Sequence, residues 1–138
     1  MIRVVLDTSV VVSAVISSGG PNARVFDLIT NGQIVPCISE PVLAEYHRVF
    51  SYNRLRHLDA RRIALLLGLL KAVSIGVRPR RALKISSHDD DNRIYECAAA
   101  AKADYIVTEN TRHFKEPYRN TQIVNARQLL ALLQATAE

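Results

Sequence analysis

Ile2-Arg3-Val4-Val5-Leu6-Asp7 opens the chain with a valine-rich stretch that, after Arg3, is unbroken apolar from Val4 to Leu6 and ends on a carboxylate. A strand with one wet face alternates apolar and polar positions, whereas an unbroken apolar run marks a strand buried on both faces of a parallel sheet. Parallel neighbours cannot be joined by a hairpin, so such a strand predicts a crossover, usually helical, before the next one. The chain that follows obeys this. Residues 10–16 continue apolar, as a helix or turn packed under the strand, until Ser17-Ser18-Gly19-Gly20-Pro21 interrupts the pattern. A helix starts from Asn22 as N-cap, sets Val25, Leu28 and Ile29 on one face, and stops at Asn31-Gly32. Residues 34–38 form a second strand, and Ser39 caps a helix whose early Pro41 needs no intrahelical donor and which carries Glu45.

From residue 59 to 73 the spacing of Ile63, Leu66, Leu67 and Leu70 predicts a helix, with Leu65 and Leu69 widening its stripe into either core or a dimer face. Residues 74–77 give a short third strand. A polar loop over 86–92 turns into a helix through Ile94 and Ala98, and Tyr105-Ile106-Val107-Thr108 is a further buried strand. A last strand over 122–124 precedes Asn125 and Gln128, spaced as a capping box that opens the final helix. The alternation predicts an α/β fold: a three-layer sandwich around a mainly parallel sheet of about five strands with right-handed crossovers. No repeat or linker divides the chain, so residues 1–138 are expected to form one domain.

With 49% hydrophobic and 22% charged residues the composition is that of a globular protein. Cys37 and Cys97 follow no zinc or redox spacing and read as small core residues. The opening run meets Asp7 too early for a signal peptide, and the longest apolar stretch, residues 63–70, is far short of the ~20 residues a membrane crossing needs. A cytoplasmic protein with no membrane contact is expected. Charge is segregated: residues 48–84 hold ten Lys/Arg and one acid, a balance of +9, while the rest hold eight bases and twelve acids, a balance of −4, which together give the net +5. A basic middle between acidic flanks suits a surface that grips a polyanion beside one that holds a cation, although arginines 54–62 taken alone also fit a solvated helix face.

Ligands of open parallel sheets bind beyond the C-terminal strand ends, where neighbouring connections diverge. Asp7 and Thr108-Glu109-Asn110 stand at that edge, and Glu45 and Asp91 reach it if the helices run as read. Carboxylates drawn together repel, and a divalent cation between them relieves the repulsion. Mg²⁺, or Mn²⁺, suits hard oxygen ligands and phosphate oxygens, and activates water for attack on a phosphodiester. Each acid also has a plainer reading: Asp7 as the cap of the next segment, Asp89 to Asp91 as partners of a helix dipole, Glu45 as a surface residue.

Val4-Val5-Leu6-Asp7-Thr8-Ser9, Ser39-x-x-Val42-x-x-Glu45, Asp90-Asp91-Asn92 with Ala98, and Ala103-Asp104-Tyr105-Ile106-Val107-Thr108, in this order and spacing, resemble the PIN-domain family, in particular bacterial VapC-like toxin components. The resemblance runs from Met1 to about Leu133. It implies that Asp7, Glu45 and Asp91 are the catalytic, metal-binding acids, with Thr8 and Thr108 as polar neighbours; Asp91 is preferred to Asp90 because Ile94 and Ala98 then fall at the family's helix-packing positions. It further implies RNA as substrate, a small antitoxin protein as partner, and a homodimer. The family's usual Thr-x-Asp is here Thr108-Glu109-Asn110, so Asn110 offers a neutral oxygen in place of a fourth charge. Arg48, Arg78, Arg80 and Arg81 are the candidates for RNA-backbone contacts, and His113, just beyond the site strand, for phosphate.

Two other readings compete. One keeps the fold and RNA binding but makes Asn110 the mark of a catalytically weak or inactive module. The other is a receiver-type phospho-acceptor domain, also α/β with an acidic pocket; it requires an acceptor aspartate ending a central strand and a lysine ending a later one, whereas the third strand ends in Val77-Arg78-Pro79 and the last in Val124-Asn125.

Overall fold

In order along the chain, the computed structural model, which describes residues 1–137, contains β1 (Ile2–Leu6), α1 (Thr8–Ile16), α2 (Pro21–Thr30), β2 (Ile34–Ile38), α3 (Glu40–Phe50), a 3₁₀ turn (Asn53–Leu55), α4 (Ala60–Val73), β3 (Ile75–Gly76), α5 (Asp89–Ala101), β4 (Tyr105–Val107), β5 (Gln122–Val124) and α6 (Ala126–Ala137). The sheet order is β3-β2-β1-β4-β5, and every neighbouring pair is parallel. The sequence reading of a mainly parallel α/β sandwich therefore holds, with the sheet wholly parallel.

Val4, Val5 and Leu6 of the central strand β1 and Ile106 and Val107 of its neighbour β4 are buried, as interior strands of a doubly covered sheet must be. The chain steps from β1 to β2 to β3 in one direction and then returns across the sheet to β4. Right-handed crossovers consequently put α5 on the face opposite α1, α2 and α4, while α3 lies where it packs against both α1 and α5. Helix α5 packs on β1, β2 and β4, while α1 packs against α2, α3 and α4, and α2 against α6. The point where the connections diverge lies between β1 and β4, and the crevice for a ligand opens beyond their C-terminal ends.

Local signals explain most boundaries. The Ser39 side chain accepts from the Val42 N–H, and Asn125 and Gln128 bond reciprocally across the start of α6. Asn31 ends α2 and Gly32 follows with φ of 74°, where a Cβ would be strained. The start of α2 differs from the expected Asn22 cap: Gly20 is the N-cap and Pro21 the first helical residue, because proline's fixed φ suits that position and its missing N–H is not needed there. Along α4, Leu67 and Leu70 are core while Leu65 is 71% exposed, so the leucine stripe is wider than the face the domain buries. Cys37 and Cys97 are free and buried, with the Cys97 thiol donating to the Cys37 carbonyl. Among the described residues no helix is long and apolar enough to cross a membrane.

Candidate active site

Asp7 leaves β1 at its C-terminal end, its N–H still in the ladder to the Val107 carbonyl at 2.9 Å. It occupies the N-cap position of α1 with extended backbone angles, yet its side chain caps nothing. The carboxylate instead takes the Ser9 hydroxyl at 2.7 Å and the Thr108 hydroxyl at 2.8 Å, both on Oδ2. Thr108 follows β4 directly and Ser9 lies in the first turn of α1, so hydroxyls from two different segments hold one buried carboxylate at the sheet edge. The capping explanation of Asp7 is thereby set aside.

Glu45 comes from α3, one turn and a half beyond the Ser39 cap, and its Oε2 accepts the Thr8 hydroxyl at 2.9 Å. The next residue, Tyr46, is fully buried and donates its hydroxyl to the Leu6 carbonyl, which anchors α3 on the end of β1 and fixes the side of the helix that Glu45 occupies. Asp91 lies in the first turn of α5, buried, with the Ser86 hydroxyl on Oδ2 at 3.3 Å and the His113 Nδ1 at 3.9 Å from the same oxygen. Asp90, one residue earlier, turns outward and pairs with Arg48 of α3 at 3.1 Å, both side chains half exposed. That pairing ties the two acid-bearing helices together and engages Arg48 with a carboxylate.

The carboxyls feel one another. Burial pushes the Glu45 carboxyl from its ordinary 4.5 up to about 7, against the Thr8 bond that stabilises its charge, and Asp90 and Asp7 add repulsion. Burial likewise raises Asp91, again with Asp7 as the repelling neighbour. Asp7 thus acts on both. Among the described residues no three His, Cys, Asp or Glu side chains close into a ready-made coordination cage. All three acids offer oxygen donors only, the chemistry that a hard cation takes.

A pH dependence follows. The folded chain holds a proton on Glu45 that the unfolded chain releases, so without divalent cation this group favours folding least above pH 7, and stability falls as pH rises from 4.5 toward 7. Glu45→Gln, which keeps an oxygen for Thr8, is expected in chelator to raise Tm by about 2–4 °C at pH 8 and to change little at pH 5, the effect kept small because Glu45 is only half buried. Thermal denaturation at the two pH values measures it; an equal shift at both would remove ionisation as the cause.

The remaining sequence candidates divide. Thr8 and Thr108 hold the acids. Asn110 is exposed; its N–H donates to the Thr108 hydroxyl at 2.9 Å and its carbonyl accepts from the His113 N–H at 2.9 Å, so its main chain shapes the turn beside the site. Arg78, Arg80 and Arg81 are not beside the acids: they line a separate cleft of about 740 Å³ along the C-terminal half of α5, with Lys102 and Arg119. Three residues carry roles that the sequence alone did not assign. Ser9 holds Asp7, Ser86 holds Asp91, and Asn92, 2% exposed, clasps the preceding loop: its Oδ1 accepts from the N–H of Ile85 at 3.0 Å and of Ser86 at 2.8 Å, and its Nδ2 donates to the Ser86 carbonyl at 2.9 Å. The serine after Asp7 and the asparagine after Asp91 were both within quoted motifs; what hid them was the loop path, which only the fold determines.

Comparison with known proteins agrees with this architecture. The family model described as PIN domain matches residues 3–112. An uncharacterized protein from Methanocaldococcus jannaschii is 31% identical over 104 residues, covering 74% of this chain and 67% of that protein. Two solved structures share the fold. VapBC2 from Rickettsia felis, bound to a DNA fragment from its promoter, aligns with a TM-score of 0.60 at 19% identity, over 90% of this chain and 98% of that one. DNA-bound VapBC from Salmonella typhimurium aligns with a TM-score of 0.61 at 18% identity, over 91% and 99%.

Proposed function

Because the chain belongs to the PIN-domain family, we propose that it is a metal-dependent endoribonuclease acting as the toxin of a toxin–antitoxin pair. The observation that carries this reading is the repulsion that Asp7 exerts on both Glu45 and Asp91 at the sheet edge beyond β1 and β4, each acid held by a hydroxyl from a different segment. Three carboxylates cannot all ionise there cheaply, and the donor set is all oxygen, which selects Mg²⁺ or Mn²⁺ over softer ions. Asp7, Glu45 and Asp91 would hold the cation, with Asn110 a neutral oxygen at the rim. When bound, such a cation supplies a Lewis acid for a phosphodiester and a water of lowered pKa.

The chain's own groups do the rest. Ser9 and Thr108 both bond Oδ2 of Asp7, which leaves Oδ1 as the oxygen available to a cation and fixes its direction. Thr8 orients Glu45 in the same way, and the proton that Glu45 keeps up to about pH 7 in the cation-free chain would have to leave for it to hold the cation. Arg48, at the mouth, is positioned to exchange Asp90 for an RNA phosphate, and Arg78, Arg80 and Arg81 supply backbone contacts farther along α5. RNA as the substrate rests on the family likeness.

Ile16, 61% exposed on α1, and Leu65, exposed on α4, are apolar side chains that an antitoxin partner or a second copy would cover. Both solved neighbours are VapBC complexes, which agrees with a partner of that kind. The test is cleavage of a labelled structured RNA by the purified chain in Mg²⁺, in Mn²⁺ and in chelator. Cutting that requires the cation is expected; RNA binding without cutting would instead favour the inactive module with Asn110 as its mark.

A further inference from the structure

Beside Asp91, lined in part by Ser86 and His113 that touch it, lies a cleft of about 560 Å³ that the carboxylate chemistry does not use. Its wall nearest the acids is a pair of imidazoles: His88 and His113 stack with ring centroids 5.1 Å apart and planes 28° from parallel. They come from loops far apart in the chain. His88 is held by its N–H to Ser86 Oγ, the same hydroxyl that reaches Asp91, and His113 by its N–H to the Asn110 carbonyl. Arg112 and Lys115, both exposed, stand on the rim, with Glu116 the one acid among the lining residues. Flat aromatic rings backed by two cations are what a nucleotide needs: a π-face for the base and positive charge for its phosphate.

We propose that this cleft is a subsite for one nucleotide of the RNA strand, flanking the scissile phosphate on the Asp91 side, with the base extending the His88–His113 stack and its phosphate on Arg112 and Lys115. The inference rests on the nuclease reading for the meaning of "scissile", but the site itself is built from residues outside the acidic set. The contact between His113 and Asp91, 3.9 Å, places the subsite directly against the crevice, so a strand held there runs past the acids. Stacking discriminates weakly among bases, and the cleft therefore favours unpaired RNA over any one sequence.

The test is fluorescence anisotropy of a labelled single-stranded RNA, and of an abasic strand of the same length, at several salt concentrations in chelator so that nothing is cut. Arg112→Ala with Lys115→Ala is expected to weaken binding of both strands by about tenfold and to flatten the dependence of log K on log salt by about 0.7, the contribution of one phosphate of a single strand. His88→Ala with His113→Ala is expected to weaken binding of the RNA at least about fivefold, to leave its salt slope unchanged, and to spare the abasic strand. All four side chains are exposed, so the folded state should survive, as circular dichroism would confirm. Unchanged affinity and slope in both double variants would overturn the subsite, even if the native chain cuts RNA. The expected losses in a chain that cuts nothing would uphold it and remove only the nuclease.

Discussion

Asp7→Asn is expected to lower kcat/KM for metal-dependent RNA cleavage by at least about a hundredfold, because loss of even an outer-sphere partner of a metal commonly costs ten- to a hundredfold and the proposed function makes Asp7 a direct ligand. The substitution isolates charge from shape. Asparagine keeps an oxygen for the Ser9 and Thr108 hydroxyls, so the junction of β1, α1 and β4 retains its bonds. It also removes the repulsion that Asp7 exerts on Glu45 and Asp91. Tm in chelator should therefore hold or rise while activity is lost, and steady-state kinetics with thermal denaturation check both halves. Lost activity with a fall in Tm of many degrees would mean that Asp7 is chiefly structural.

The second large effect is on stability. Asn92→Ala should lower the unfolding free energy by about 2–4 kcal/mol, since it strips three hydrogen bonds at once and leaves the N–H groups of Ile85 and Ser86 without their acceptor in a half-buried loop. For a domain of this size the corresponding drop in Tm is about 10 °C. Because the loop also carries the Ser86 hydroxyl on Asp91, cleavage should fall with it. Denaturant melts measure the first effect, and a shift under about 1 kcal/mol would show that water replaces the asparagine freely.

These two residues mark how far the sequence could be read. Asp7 was legible because a short valine-rich apolar run reads as a strand of a covered parallel sheet, and a carboxylate at such a strand's end has a predictable address. Ser39, and Asn125 with Gln128, were legible because caps act over three residues. Asn92 was not, since its partners belong to a loop whose path is set by contacts with α5, including the Leu83 N–H on the buried Glu96. The same loop carries Arg78, Arg80 and Arg81 to a cleft away from the acids, which charge clustering along the chain does not reveal. Glu45 was undecided from spacing; the Tyr46 bond to Leu6, across forty residues, resolves which way α3 faces.

The claim on which the account depends is that Asp7, Glu45 and Asp91 together hold a divalent cation, and calorimetric titration of Mn²⁺ into the native chain and into Asp7→Asn at pH 8, where Glu45 has lost its proton, tests it most directly. The account predicts saturable binding by the native chain, weaker at pH 6 because the cation must displace that proton, and at least about tenfold weaker in Asp7→Asn. Equal binding by the two chains, or none by either, would contradict it.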